Sequence, residues 1–161
     1  MLREIVTKAV VSKGKILDNE ELNFQIVENI SKALGCWIIN HKYLSVVENN
    51  KIYAHGFYDV HIWCSKDDNS DTFLFKETIE YKEEFKMENL NFDRENNEYK
   101  IYCIEYPMCT NLQLIGNELK VTVKKGLALD VVGESKLLVQ VSENFPQDDN
   151  SLGINTNYLN K

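Results

Sequence analysis

Alternation with a period of two is the feature that most restricts what this chain can become. From position 73 to 87, Phe73, Phe75, Ile79, Tyr81, Phe85 and Met87 share one parity, while Lys76, Lys82, Glu84 and Lys86 take the other. Leu119, Val121 and Val123 alternate with Lys120, Thr122 and Lys124, and Leu137, Val139 and Val141 repeat the pattern. This spacing puts apolar side chains on one sheet face and charge on the other, the habit of antiparallel sheets. The residue types, rich in Val, Ile, Tyr, Phe and Trp, suit strands. The sequence therefore predicts an all-β fold, mainly an antiparallel β-sandwich or barrel-like, with one short helix near residues 20–34. For that helix Leu22, Ile26, Val27, Ile30, Ala33 and Leu34 recur at helical spacing; Asp18 or Asn19 caps the start and Gly35 ends it.

Turn residues divide the strands. Gly116-Asn117 and Gly133-Glu134 each read as a two-residue hairpin loop with glycine first, the second separating residues 129–132 from 137–141. Asn49-Asn50 and Asn96-Asn97 stand between other apolar runs, and asparagine tolerates the left-handed conformation such turns need. Pro107 inside an apolar stretch predicts an edge, bulge or break between residues 102 and 114.

At 161 residues the chain is long enough for one domain with a real core, needing no disulfide or metal staple. Residues 1–145 read as that domain and residues 146–161, from Pro146 on, as a polar tail. Eighteen basic against twenty-five acidic side chains leave −7, which argues against a nucleic-acid partner. The excess is local: positions 77–98 carry net −5 and positions 142–161 net −2. Such a run is usually a solvated face, less often an acidic docking surface. The start, Met1-Leu2-Arg3-Glu4-Ile5, is charged where a signal peptide is apolar, and no apolar run exceeds about five residues. Export and membrane insertion are both disfavoured, leaving the cytoplasm as default compartment.

Chemistry-bearing motifs are sparse. Glycine loops of the Walker or dinucleotide type and the Gly-x-Ser-x-Gly elbow are missing from the sequence, and no cofactor is implied. His55, His61 and Cys64 are close in sequence, but in a strand Cys64 points away from both histidines, against a zinc site. Asp67-Asp68-Asn69-Ser70-Asp71 has the alternating oxygens of a calcium loop, yet Thr72 and Thr78 stand where glycine and glutamate are required, so a polar hairpin tip is expected. Cys64 with a histidine would make a nucleophile pair only on paper, since spacing suggests no third orienting group. Cys36, Cys64, Cys103 and Cys109 form no Cys-x-x-Cys pair and read first as small buried hydrophobes. No catalytic or metal-ligating residue is assigned.

Four stretches resemble one family. They are residues 3–11 (Arg3-Glu4-Ile5-Val6-Thr7-Lys8-Ala9-Val10-Val11) with Gly14-Lys15, residues 34–43 (Leu34-Gly35-Cys36-Trp37-Ile38-Ile39-Asn40-His41-Lys42-Tyr43), residues 56–63 (Gly56-Phe57-Tyr58-Asp59-Val60-His61-Ile62-Trp63) and residues 131–136 (Val131-Val132-Gly133-Glu134-Ser135-Lys136). In order, they resemble the CotE family, outer spore-coat morphogenetic proteins of endospore-forming Firmicutes. The resemblance implies a non-enzymatic scaffold, made in the mother-cell cytoplasm and then part of the spore coat. Such a scaffold self-associates around the forespore on the basement layer and recruits other spore-coat proteins. Two departures stand out. The long acidic tail of such proteins is reduced here to Asp148-Asp149, and residues 22–34 carry helical spacing in place of a proline-containing loop.

For a scaffold, edge strands that other proteins protect become useful. Residues 5–11 and 37–43, paired on or near an edge, are the expected self-association elements, through Ile5, Val6, Val10, Trp37, Ile39 and Tyr43. Head-to-tail contacts between them would give open or large assemblies. Oxidising surroundings after mother-cell lysis would make Cys103 or Cys109 possible intermolecular cross-links. The alternative reading is a monomeric ligand-binding β domain with an aromatic pocket of Trp37, Tyr58, Trp63 and Tyr81; a third is a small β enzyme using Cys64 and a histidine.

Overall fold

Wherever the alternation runs, the chain is extended. The computed structural model describes residues 2–92 and 95–140, which form seven strands: β1 (Leu2–Gln25), β2 (Ile30–Glu48), β3 (Lys51–Lys66), β4 (Asp71–Glu84), β5 (Lys86–Met87), β6 (Glu98–Ile115) and β7 (Glu118–Gln140). They build a four-stranded sheet ordered β5-β1-β7-β6 and a three-stranded sheet ordered β2-β3-β4. The β1–β5, β2–β3, β3–β4 and β6–β7 pairings are antiparallel. By compactness the chain divides in two: residues 2–8 with 134–140 form a small unit, the ends of β1 and β7, and Ala9–Gly133 form the larger one. The expected polar tail, residues 146–161, and Val141 lie outside the described residues.

The core lies in the larger unit, between the inner faces of both sheets. Ile52, Tyr58, Val60 and Ile62 on β3 and Leu119, Val121, Val123, Leu127 and Leu129 on β7 are at most 2% exposed. Each fully buried aliphatic side chain of this kind stabilises the fold by about 1.5–3 kcal/mol. In β4 the alternating apolar set holds to Tyr81, and at Phe85 the chain bends, its amide donating to the carbonyl of Ile52 at 2.9 Å. Beyond the bend β5 pairs with β1 at Gly14 and Lys15, so the chain passes from one sheet to the other.

Two expectations need correction. Residues 20–34 contain no helix: residues 20–25 continue β1, residues 26–29 form a short connection, and β2 begins at Ile30. Leu22, Phe24 and Ile26 also alternate, and pairing in a sheet outweighs the weak helical preference of a segment rich in β-branched residues. The Ile26 amide donates to the carbonyl of Asn117 at 3.0 Å, which fixes the connection. Nor does Gly133-Glu134 turn the chain, since β7 runs through it. A Cβ at Gly133 would crowd the side-chain oxygen of Asn97.

The other turns match their residues. Gly116 (φ 62°) leads the β6–β7 hairpin, and Asn49 and Asn50 (φ 51° and 63°) form the β2–β3 turn. Asp67 to Asn69, all with positive φ, make a polar β3–β4 tip closed by the Ser70 amide donating to Asp67 O. Pro107 sits on β6, an edge strand, between the register shifts at Glu105 and Met108.

Candidate functional site: an apolar sheet face and a buried charge cluster

The inner face of the three-stranded sheet goes to the core, and its outer face carries several exposed apolar side chains among charged and polar ones. On β2 the outward residues include Leu34, Trp37, Ile39 and Leu44, and on β3 Phe57 and Trp63; all are exposed, Trp37 by 53% and Trp63 by 40%. In register they alternate with polar neighbours: Trp37 lies opposite His61, Ile39 opposite Asp59, Phe57 opposite Lys42, and Trp63 opposite Gly35. Single exposed apolar residues are ordinary on a protein surface, but two tryptophans on one sheet face are what an interaction surface presents.

The residues expected to self-associate fall into three positions. Trp37 and Ile39 belong to this outer face. Tyr43 turns inward, packs on the core and stacks at 4.9 Å from the ring of His41. Ile5, Val6 and Val10 are exposed on β1. The two segments do not pair with each other: β1 neighbours β5 and β7, and β2 neighbours β3. β2 is an edge strand, and β1 is covered by β5 only at Gly14 and Lys15. In the small unit Leu2, Ile5 and Val6 of β1 and Leu137 and Leu138 of β7 are exposed, beside a Lys136–Glu4 ion pair of 3.8 Å. The edge strands β2 and β6 run alongside each other without a ladder.

The four pocket aromatics do not converge. Tyr58 and Tyr81 are buried in the core with ring centroids 6.2 Å apart, whereas Trp37 and Trp63 face outward. The proposed ligand pocket is therefore split across the two faces of one sheet, as period-two geometry requires. Cys64 is likewise inside, its thiol raised in pKa by burial, while His55 is on the outer face bound to Glu80 Oε2 at 2.7 Å. No nucleophile pair forms between them. Among the described residues no group of three or more His, Cys, Asp or Glu side chains is placed to hold a metal ion.

Cys103 and Cys109 are half-buried on β6, their thiols donating to the carbonyls of Glu105 and Asn111 at 3.2 and 3.4 Å. Cys109 also has a neighbour within the chain. Cys36 on β2 is raised in pKa first by burial and then by the adjacent Cys109 thiol.

The interior holds a polar cluster that the alternation conceals. Lys125 on β7 occupies the inward parity of Val121, Val123 and Leu127 and is 0% exposed. Its Nζ lies 2.9 Å from Asp18 Oδ2, 3.9 Å from Glu20 Oε1 and 2.5 Å from Glu83 Oε1, and 4.4 Å above the ring centroid of Tyr81. Asp18 and Glu20 continue the inward parity of Ile16 on β1, and Glu83 stands between Tyr81 and Phe85. That signal is in the sequence: four charged residues sit at positions an alternating strand turns toward the core. The Tyr58 hydroxyl donates to Glu20 Oε1, and His41 shares a 2.5 Å hydrogen bond with the Tyr81 hydroxyl. A bulge at Asn40 (φ 55°) turns His41 inward.

The electrostatics follow from burial and the shared cation. Burial raises Glu83 and Asp18 adds to it, against the opposing pull of Lys125. Burial would raise Asp18 too, but hydrogen bonds and charge from Lys125, with the hydrogen bond to Glu83, hold it below the usual range. Burial would lower Lys125, and the two carboxylates more than offset it. Burial, then the charge of Lys125, pushes His41 down to about 4.

This molecule is a two-sheet β protein with exposed apolar side chains on its strands and a buried lysine held by half-buried carboxylates. Its sequence matches the model of the family described as outer spore coat protein E (CotE) over residues 1–160, and the chain belongs to that family. It is a spore-coat protein. Neither the curated proteins nor the solved structures contain a match.

Proposed function

We propose that this chain is a non-enzymatic morphogenetic scaffold that self-assembles around the forespore and recruits other spore-coat proteins, including the basement layer. The observation that carries this reading is the exposed apolar face of β2 and β3 built on Trp37, Ile39, Phe57 and Trp63. On β1, Val10 is exposed in the larger unit, and Ile5 and Val6 are exposed in the small one. Contact between two unlike patches is heterologous and need not close, so it yields open assemblies rather than a dimer.

The test is particle size against concentration, by light scattering and negative-stain microscopy. The parent chain is expected to grow into sheets, fibres or large rings. Trp37→Ser with Ile39→Ser, and separately Val6→Asp with Val10→Asp, are expected to stay small while keeping the parent β circular dichroism. A parent that remains monomeric at every concentration, or folded variants that assemble unchanged, would overturn the proposal.

A further inference from the structure

Two features on opposite faces of the larger unit match each other in shape and charge. On the outer face of the three-stranded sheet a cleft of about 310 Å³ is ringed by Lys42 and Leu44 of β2, His55 and Phe57 of β3 and Glu80 of β4. On the outer face of the four-stranded sheet Tyr106 of β6 stands out, 78% exposed. We propose that Tyr106 of one copy seats in the cleft between Leu44 and Phe57 of the next copy. The inference rests on the self-assembly reading above and names a pair of groups that carries the contact.

Backbone geometry makes the tyrosine a knob. Glu105 pairs with Gly126 and Met108 with Lys124, so β6 carries Tyr106 and Pro107 against the single residue Lys125 of β7. Pro107 is buried, and this bulge on an edge strand pushes Tyr106 out beside the exposed Met108. Backbone geometry also makes the cleft. Lys42 pairs with Phe57 and Phe57 with Glu80 in one row, and Leu44 pairs with His55 in another. Between these rows Tyr43 pairs with Gly56. Tyr43 turns inward and Gly56 has no side chain, so the sheet is left with a depression there.

The chemistry corresponds on the two sides. Leu44 and Phe57, both exposed, offer apolar walls to a phenol ring, and the His55–Glu80 hydrogen bond of 2.7 Å at the rim offers polar atoms to its hydroxyl. A ring with an apolar body and a polar tip suits such a mixed site. The flanking charges are reciprocal. Glu105 and Lys124 stand beside Tyr106, 3.7 Å apart and half-exposed, while Lys42 and Glu80 stand beside the cleft. Glu105 facing Lys42, and Lys124 facing Glu80, would fix the orientation of the contact. A copy cannot fill its own cleft, because its Tyr106 lies on the other side of the core. The occupant is then a second copy. Knob and cleft are unlike, so the contact passes from copy to copy and need not close.

A double-mutant cycle tests the pairing, with light scattering reading the concentration of full chain at which particles form. Tyr106→Ser and Leu44→Ala are each expected to raise that concentration about tenfold while keeping the parent β circular dichroism. The double variant is expected to match either single one, because both changes remove the same contact. A rise of about a hundredfold in the double variant, the product of two independent losses, would overturn the pairing and leave the scaffold reading in place. Single variants that assemble as the parent does would do the same. A parent that stays monomeric at every concentration would overturn both. A second measurement does not depend on how those variants fold. A Tyr106→p-benzoylphenylalanine chain, mixed with isotope-labelled parent and irradiated, is expected to attach to the labelled copy within residues 42–57. Attachment elsewhere on that copy, or only within its own chain, would overturn the pairing.

Discussion

The Tyr58 hydroxyl, on β3, donates a 2.7 Å hydrogen bond to Glu20 Oε1, on β1 of the other sheet. Burial and then Glu20 raise the Tyr58 phenol well above its usual range, so it remains a donor at every physiological pH. The same Glu20 oxygen lies 3.9 Å from Lys125, so one polar network spans β1, β3, β4 and β7. Removing Lys125 leaves three carboxylates near one another, each a quarter to a third exposed. Lys125→Met is expected to lower unfolding free energy by about 1–3 kcal/mol, less than for a fully buried pair broken on one side because water reaches the charges left behind. Adding Asp18→Asn and Glu83→Gln should recover part of it. Urea denaturation reads both values, and a Lys125→Met chain within about 0.5 kcal/mol of the parent would show the cluster to be structurally idle.

His41 gives the fold a pH dependence whose sign can be worked out. Its pKa falls from 6.5 to about 4 on folding, by burial and then by Lys125, so the unfolded chain binds the extra proton first. Stability from this group is complete above pH 6.5 and is lost as pH falls toward 4. The full shift is worth about 3 kcal/mol at most, less for a half-buried ring. Glu83, raised on folding, acts with the opposite sign as pH rises above its ordinary range. The measurement is therefore a difference: melting temperature against pH for the parent and for His41→Gln. The parent should lose more stability between pH 6.5 and 4; parallel curves would contradict the assignment.

Gly56 on β3 is required by space, not by conformation. A Cβ there would meet the Lys42 carbonyl oxygen and the Tyr81 hydroxyl, each at 2.5 Å. The carbonyl belongs to the backbone and cannot rotate away, so Gly56→Ala is expected to cost about 1–3 kcal/mol, as other overpacked sites do. Gly116 is the contrast, with φ +62° and open space around it. Gly116→Asn should be tolerated within about 0.5 kcal/mol, since asparagine adopts that conformation. Chemical denaturation of both variants decides it, and equal costs would refute the distinction.

How much of this was legible in the sequence follows from what each signal encodes. Period two at residues 73–87 and 119–123 gave the strands and their inner faces, because side-chain direction is fixed locally. The asparagine and Gly116 turns were readable for the same reason. The helix was misread because Leu22, Ile26 and Ile30 satisfy helical spacing while Leu22, Phe24 and Ile26 also alternate, and only sheet pairing decides between them. Gly133 looked like a turn because the approach of Asn97 is a tertiary fact. Trp37 and Trp63 looked like pocket residues until register placed them on the outer face. Lys125 stood in plain view at an inward parity, but its partners Asp18, Glu20 and Glu83 come from distant positions, and no local pattern links them.

The last prediction concerns the thiols. The edge strands β2 and β6 bring Cys36 beside Cys109, so Cys109 has a partner inside its own chain. Intramolecular pairing gains from proximity over any encounter between chains. Cys103 is raised in pKa by burial, and thiolate is the reacting form. Mild oxidation is therefore expected to consume two thiols per chain and to close Cys36–Cys109 without covalent dimers on a non-reducing gel. The reaction should be slow at neutral pH, because burial and the neighbouring Cys109 also raise Cys36. Cys36→Ser should free Cys109 and redirect oxidation to cross-links between copies, visible as a dimer band. A dimer band of equal strength in the parent would mean that Cys109 reacts outward first, and the internal pairing would fall.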